Sequence, residues 1–229
     1  MNVHPVVVIP AFNEAATLRH VAQGVLAHVP DVIVVDDGSQ DGTAVTVAGL
    51  PVEVLTHPRN RGKGASLRTG AARALERGGT HVITLDADGQ HDPDDLPSLL
   101  AIARDHPDAL VIGARTIRRE PRPPLRLAAN RLADWAVSRI TKTRVVDSQS
   151  GLRVYPRRLF EALLEATAED GFAFETRALV TAAGLNLPLL LIPIEARYPA
   201  GRRPSHYRPV NDSIRIGRLL IGEWLRRRR

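Results

Sequence analysis

At 229 residues, with 44% hydrophobic and 24% charged residues, the chain has the length and composition of one globular domain with a substantial core. It contains no cysteine, which excludes disulfides and thiolate metal sites, and no run of about 18 uninterrupted apolar residues, which argues against a membrane span. The net charge of +6 is gathered at one end, where Ala196 to Arg229 holds ten arginines against Asp212 and Glu223, so an anionic partner is expected there.

Met1 to Pro5 leads into an apolar run without a charged leader or a small-residue cleavage site, so no signal peptide is expected. Val6 to Ile9 is the first β-branched run and stops at Pro10, and a helix is predicted from about Glu14 to Ala27. Val32 to Val35 follows, ending in Asp36-Asp37-Gly38-Ser39. Val52 to Leu55 comes next, then the basic, Gly-rich Arg61-Gly62-Lys63-Gly64 and a helix to about Arg77. His81 to Leu85 runs into Asp86-Ala87-Asp88-Gly89-Gln90, a helix starts near Pro93, and Leu110 to Ile112 is the fifth run.

Beyond Arg122-Pro123-Pro124 the pattern predicts a helix over Leu125 to Ile140, and Val145 to Tyr155 contains the polar run Asp147 to Arg153. Helices near 157–166 and 174–184, a late strand from Leu189 to Tyr198 and a last helix from Val210 to Trp224 complete the chain. Short apolar runs without polar alternation suit strands buried on both faces, and intervening helices favour a mostly parallel sheet. Ligands of such sheets bind beyond the carboxyl ends of the strands, which is where the unusual polar clusters fall.

Each cluster suggests a chemistry. Asp86 and Asp88, two positions apart at a strand end, are hard oxygen donors suited to Mg²⁺ or Mn²⁺ on a diphosphate, and Gln90 adds a neutral oxygen; a capped turn is the plainer alternative. Asp36-Asp37-Gly38-Ser39 is equally open to a structural turn or to hydrogen bonding a base or ribose. Arg61 to Gly64 can meet phosphate at a helix start, but it lacks the upstream Gly and the following Ser/Thr of a P-loop.

Ile9-Pro10-Ala11-Phe12-Asn13-Glu14, Val34 to Ser39, Gly62-Lys63-Gly64, Asp86 to His91, Gly113-Ala114-Arg115 and Asp147 to Arg153 stand in an order and spacing that resembles the family 2 glycosyltransferases of the GT-A fold. The resemblance spans roughly residues 5 to 200 and is closest to the polyprenyl-phosphate sugar synthases, the dolichyl-phosphate mannose synthases among them. It implies an α/β GT-A domain over 1–204, a mostly parallel sheet flanked by helices, and a basic amphipathic C-terminal helix over 205–229. It also implies an inverting, metal-dependent transfer of a sugar from a nucleotide-diphosphate sugar to a polyprenyl phosphate.

By position, the resemblance has Pro10, Phe12, Glu14, Val35 and Asp37 hold the nucleoside. Asp86, Asp88 and Gln90 hold Mg²⁺ or Mn²⁺, with Ala87 beside the donor. Arg115 meets a phosphate, and Asp147 sits near the acceptor as a positioning group or, for a hydroxyl acceptor, a general base. Ser150 and Gly151 shape the floor of the site, and Arg153 supports it. Phe12 replaces the family's usual Tyr, and Arg197 with His206 or Arg208 stands where a Ser-Lys pair is usual. The C-terminal transmembrane helices found in some relatives are not expected here.

Apolar stripes on the helices over 125–140 and 210–224, the second flanked by Arg215, Arg218 and Arg226 to Arg229, suit either core packing or an anionic membrane surface. The expected location is the cytoplasmic face of a membrane, with a lipid acceptor, no nucleic-acid partner and a homo-oligomer open. The alternatives are transfer to a hydroxyl of another lipid or glycan and, in a different class, a basic nucleic-acid-binding protein, against which the few aromatics and the confinement of charge to one end both count.

Overall fold

The computed structural model describes residues 3–117, 124–166, 171, 173–195 and positions 217, 219 and 222. Seven strands form one sheet: β1 (Pro5–Ala11), β2 (Val32–Asp36), β3 (Glu53–Thr56), β4 (His81–Thr84), β5 (Leu110–Ile117), β6 (Arg153–Pro156) and β7 (Leu189–Glu195), in the order β3-β2-β1-β4-β6-β5-β7. All neighbours are parallel except β6, which is antiparallel to both β4 and β5. The mostly parallel sheet expected of a GT-A fold is therefore present, with one reversed strand inside it.

Alternation along the strands divides the core between two layers. Val6, Val8, Ile33, Val35, Val82 and Ile112 face α2 (Lys63–Glu76), α5 (Arg157–Ala166) and α6 (Ala173–Gly184). Val7, Ile9, Val34, Ile83 and Val111 face α1 (Leu18–Leu26) and α3 (Leu96–Asp105). The longest described helix is α4 (Pro124–Thr141), and no helix among the described residues is long and apolar enough to cross a membrane.

Helix α2 lies on β1 and β2 at a distance that only glycine permits. A Cβ at Gly70 would come within 2.4 Å of Val8 Cγ1 and 3.0 Å of Val35 Cγ2. Gly→Ala inside a helix ordinarily gains about 0.5–1 kcal/mol. Here overpacking reverses the sign, and Gly70→Ala is expected to lose about 1–3 kcal/mol in urea unfolding.

Some sequence expectations shift. The first helix begins at Leu18 rather than near Glu14, because Glu14 to Thr17 form a turn in which the Glu14 carbonyl accepts from the amides of Thr17 and Leu18. Arg153–Pro156, which the sequence pattern did not single out as a strand, forms β6, fed by the loop that carries Asp147 to Gly151. The late strand is described to Glu195; residues 196–198 lie outside the described residues. Of the helix expected over 210–224, three positions are described; all are helical, and Leu219 is buried in the core on the α2 side.

Because β6 is antiparallel, its start lies at the same sheet edge as the ends of β1, β2, β4 and β5. The polar clusters of both halves of the chain therefore meet at one edge.

Candidate active site

Two loops are tied together at the ends of β1 and β2. The Asn13 amide donates to Ser39 Oγ at 2.9 Å, Asn13 Oδ1 accepts from the Gln40 amide at 2.9 Å, and the Glu14 amide donates to Thr43 Oγ1 at 2.8 Å. Asn13 takes a left-handed conformation, φ 54°, which asparagine tolerates better than most side chains. The Asp37 carboxylate is buried and accepts from the amides of Arg61 at 2.9 Å and Gly62 at 2.7 Å. His57 Nδ1–H also donates to it at 2.7 Å, and His57 Nε2 meets the Thr69 hydroxyl at 3.0 Å. Asp37 thus shapes the loop that opens α2.

Beyond β4, Asp86 Oδ1 lies 2.7 Å from Lys63 Nζ, and the same ammonium lies 2.7 Å from Glu175 Oε1. Burial opposes the charge on Lys63, but Asp86 and Glu175 outweigh it and raise its pKa well above the ordinary lysine range. Burial likewise opposes ionisation of Asp86, and Lys63 with His91 and Arg115 reverses this, leaving its pKa lowered. Behind Asp86 stands Gly151, where a Cβ would come within 2.2 Å of Asp86 Oδ2. The Gly151 carbonyl accepts from Thr84 Oγ1 at 2.8 Å, which pins this close approach.

Asp88 is in a different situation. It accepts from the Gln90 amide at 3.0 Å and from the Gln90 side-chain NH₂, and it has no ion pair among the described residues. Burial, and then the neighbouring charge of Asp86, push its pKa up. Gln90 Oε1 in turn accepts from Arg115 Nη1 at 3.4 Å.

Arg115, at the end of β5, grips Asp147 with three donors: Nε to Oδ2 at 2.7 Å, Nη2 to Oδ1 at 2.9 Å and the main-chain amide to Oδ2 at 2.9 Å. Both groups are buried. Burial opposes the charge on Asp147, and Arg115 overrides it, holding the carboxyl well below the usual carboxylate range. Asp147 has φ 55°, and its amide and that of Ser148 donate to Asp134 of α4 at 3.1 and 2.9 Å. His91 is buried beside these groups; burial, and then Arg115, lower its pKa to about 3. The loop from Asp147 to Gly151 is held from below by Arg153, fully buried, which donates to the carbonyls of Ser148, Ser150 and Glu175 at 2.6, 2.9 and 2.8 Å.

The model of the glycosyl transferase family 2 matches residues 6–164. The chain belongs to this family. Polyprenol monophosphomannose synthase of Mycolicibacterium smegmatis is 30% identical over 232 residues, covering 95% of this chain and 85% of that one. The UDP-N-acetylglucosamine–dolichyl-phosphate N-acetylglucosaminyltransferase of Methanococcus voltae is 28% identical over 214 residues, with 83% and 84% covered. Among solved structures, glucosyl-3-phosphoglycerate synthase from Mycobacterium tuberculosis, in complex with Mn²⁺, uridine diphosphate and phosphoglyceric acid, superposes with a TM-score of 0.74 at 22% identity, covering 99% of this chain and 78% of that one. That likeness bears on the GT-A fold.

In this family 2 member the expected site residues gather as follows. Pro10 lies near the end of β1, Phe12 and Glu14 lie in the half-buried loop after it, and Asp37 lies beneath the loop after β3. The Val35 side chain is core beneath α2, and that of Ala87 is also buried, so either residue could meet a ligand chiefly through its main chain. Asp86, Asp88, Gln90, Arg115 and Asp147 form one connected polar cluster. Arg197 and His206 lie outside the described residues, as does Arg208.

Sequence reasoning did not single out His57, Asp134 or Glu175, and it read Lys63 only as part of a basic loop. Their roles depend on partners between 12 and 112 positions away, such as His57 with Thr69 and Lys63 with Glu175. No local spacing carries that information.

The donor set fits a hard divalent cation. Among the described residues no three His, Cys, Asp or Glu side chains converge as a closed cage. Two carboxylates and an amide leave positions for phosphate oxygens and water, the way Mg²⁺ is commonly held on a nucleotide. Burial first, and then the charge of Asp86, raise the pKa of Asp88, the kind of perturbed carboxylate that gathers at functional sites.

The Arg115–Asp147 pair carries a stability prediction. Asp147→Asn leaves a buried guanidinium without its counter-ion, an expected loss of about 3–5 kcal/mol at pH 7. The folded-state pKa of Asp147 is depressed, so its contribution is full above about pH 5 and fades as pH falls below the unfolded value of about 4 toward the folded one. Urea unfolding across this range should show the gap between wild type and variant closing on the acid side.

Proposed function

We propose that the chain transfers a sugar from a nucleoside-diphosphate sugar to a polyprenyl phosphate, with Mg²⁺ or Mn²⁺ held by Asp86, Asp88 and Gln90. The observation that carries this reading is Asp88, a carboxylate beside a second carboxylate with no ion pair of its own among the described residues. The names of the relatives support the lipid phosphate acceptor.

In this reading the ends of β1 and β2 and the loops after them bind the nucleoside through Pro10, Phe12, Glu14, the Val35 main chain and Asp37, and Arg197 and His206 are assigned to the donor phosphates. The bound cation offsets the negative charge that builds on the departing diphosphate. Arg115, kept rigid by Asp147, presents guanidinium edges to phosphate oxygens. An ionised acceptor-phosphate oxygen forms the new bond to the anomeric carbon as the diphosphate oxygen leaves from the opposite face, and the configuration inverts. No proton needs to be removed. Asp147, held ionised and triply hydrogen-bonded, is a poor base and serves placement.

The basic segment after Ala196 and the Trp135 ring, 62% exposed on α4, support docking on an anionic membrane surface. Calorimetric titration of UDP and GDP, with and without Mn²⁺, tests the donor site. Metal-dependent binding of one nucleotide, followed by sugar transfer to a polyprenyl phosphate in detergent, is expected. Failure of both nucleotides to bind overturns the reading.

A further inference from the structure

We infer that Glu175 is a positioning residue that acts through Lys63, setting the charge of the carboxylate pair so that it accepts one divalent cation, chiefly at Asp88. This rests on the metal site proposed above. Lys63 opens α2, Glu175 stands in the first turn of α6, and the ammonium bridges Glu175 and Asp86 at 2.7 Å each. Glu175 is 1% exposed, so its charge has no solvent to screen it.

The bridge is held rigidly at both ends. Arg153 binds the Glu175 carbonyl and the carbonyls of Ser148 and Ser150, joining the start of α6 to the loop that carries Gly151. Gly151 in turn lies against Asp86 Oδ2, while Asp86 Oδ1 faces Lys63. Asp86 therefore shares its charge with Lys63, while Asp88, which has no ion pair among the described residues, keeps the greater share of its charge for a cation.

Charge balance gives Glu175 its effect. Lys63 and Arg115 stand among four carboxylates, Asp86, Asp88, Asp147 and Glu175, with the buried Arg153 behind Glu175, so negative charge is in excess and a divalent ion offsets it. Neutralising Glu175 reduces that excess and leaves more of the Lys63 charge to Asp86. Removing Lys63 and the Glu175 charge together restores the net charge of the cluster.

The test is calorimetric titration of MnCl₂ into protein saturated with whichever nucleotide binds. Glu175→Gln is expected to weaken Mn²⁺ binding at least tenfold, and Lys63→Met combined with Glu175→Gln to return it within about threefold of wild type. A merely structural Glu175 would show no such recovery. Unchanged affinity in Glu175→Gln, or a double variant no better than the single, overturns the inference. If Glu175→Gln does not fold, the charge-balanced double variant decides alone, near-wild-type affinity supporting the inference and lost affinity overturning it. Wild type that takes up no Mn²⁺ with either nucleotide would instead defeat the metal site proposed above.

Discussion

Asp88→Asn is expected to reduce sugar transfer by at least about 10³-fold while leaving the fold as stable as wild type or slightly more so. The two halves of this expectation have one cause. Burial and the charge of Asp86 both work against an ionised Asp88, so its raised pKa means that the charge costs folding free energy near neutral pH. Asparagine keeps the shape and the acceptor for the Gln90 amide, which Asp88 Oδ1 now takes at 3.0 Å, and removes that charge, at the loss of the acceptor that Oδ2 offers the Gln90 side-chain NH₂. A residue kept at the expense of stability points to a functional demand. Losing a direct cation ligand removes several kcal/mol of transition-state stabilisation, which sets the size of the rate effect. Thermal unfolding and transfer assays on the same preparation check it. Near-wild-type turnover would remove Asp88 from the metal site, and a large fall in the melting temperature would show that its role is structural.

Gly151→Ala is expected to lower turnover about 10²-fold and to cost about 1–3 kcal/mol of stability. Its new methyl carbon would stand 2.2 Å from Asp86 Oδ2 and 2.4 Å from the carboxyl carbon. Neither side yields easily. Asp86 is short and tied to Lys63, and the Gly151 carbonyl is held by Thr84. Two residues further on, Arg153 is fully buried and pairs opposite Thr84 in the sheet. Displacing the carboxylate by about 1 Å misplaces the cation and the diphosphate, a change that commonly costs about 10²-fold. The overpacking accounts for the stability loss. Steady-state kinetics should put the larger effect on kcat/KM at limiting Mn²⁺, with partial recovery at high Mn²⁺. Turnover equal to wild type would mean that Asp86 can move without consequence.

Much of the framework was legible from local sequence. The runs Val6 to Ile9, Val32 to Val35 and His81 to Leu85 became β1, β2 and β4, and the Asp-rich segments after β2 and β4 lie at one sheet edge. Burial period and turn chemistry are properties of consecutive residues, so they can be read without the fold. The order of the six motifs carried the family for the same reason.

Tertiary structure alone decided the direction of β6 and the pairing of charges. Arg153 to Pro156 reads the same as a parallel or an antiparallel strand, and only its place between β4 and β5 reverses it and brings Asp147 to Gly151 to the site. Asp147 was left open as base or placement group, and its three bonds from Arg115 favour placement. Lys63 looked like a phosphate loop residue, yet it bridges Asp86 and Glu175. Spacing along the chain records which residues share a face. Which charges come within about 3 Å of each other is set by how distant segments close on one another, and no single segment contains that distance.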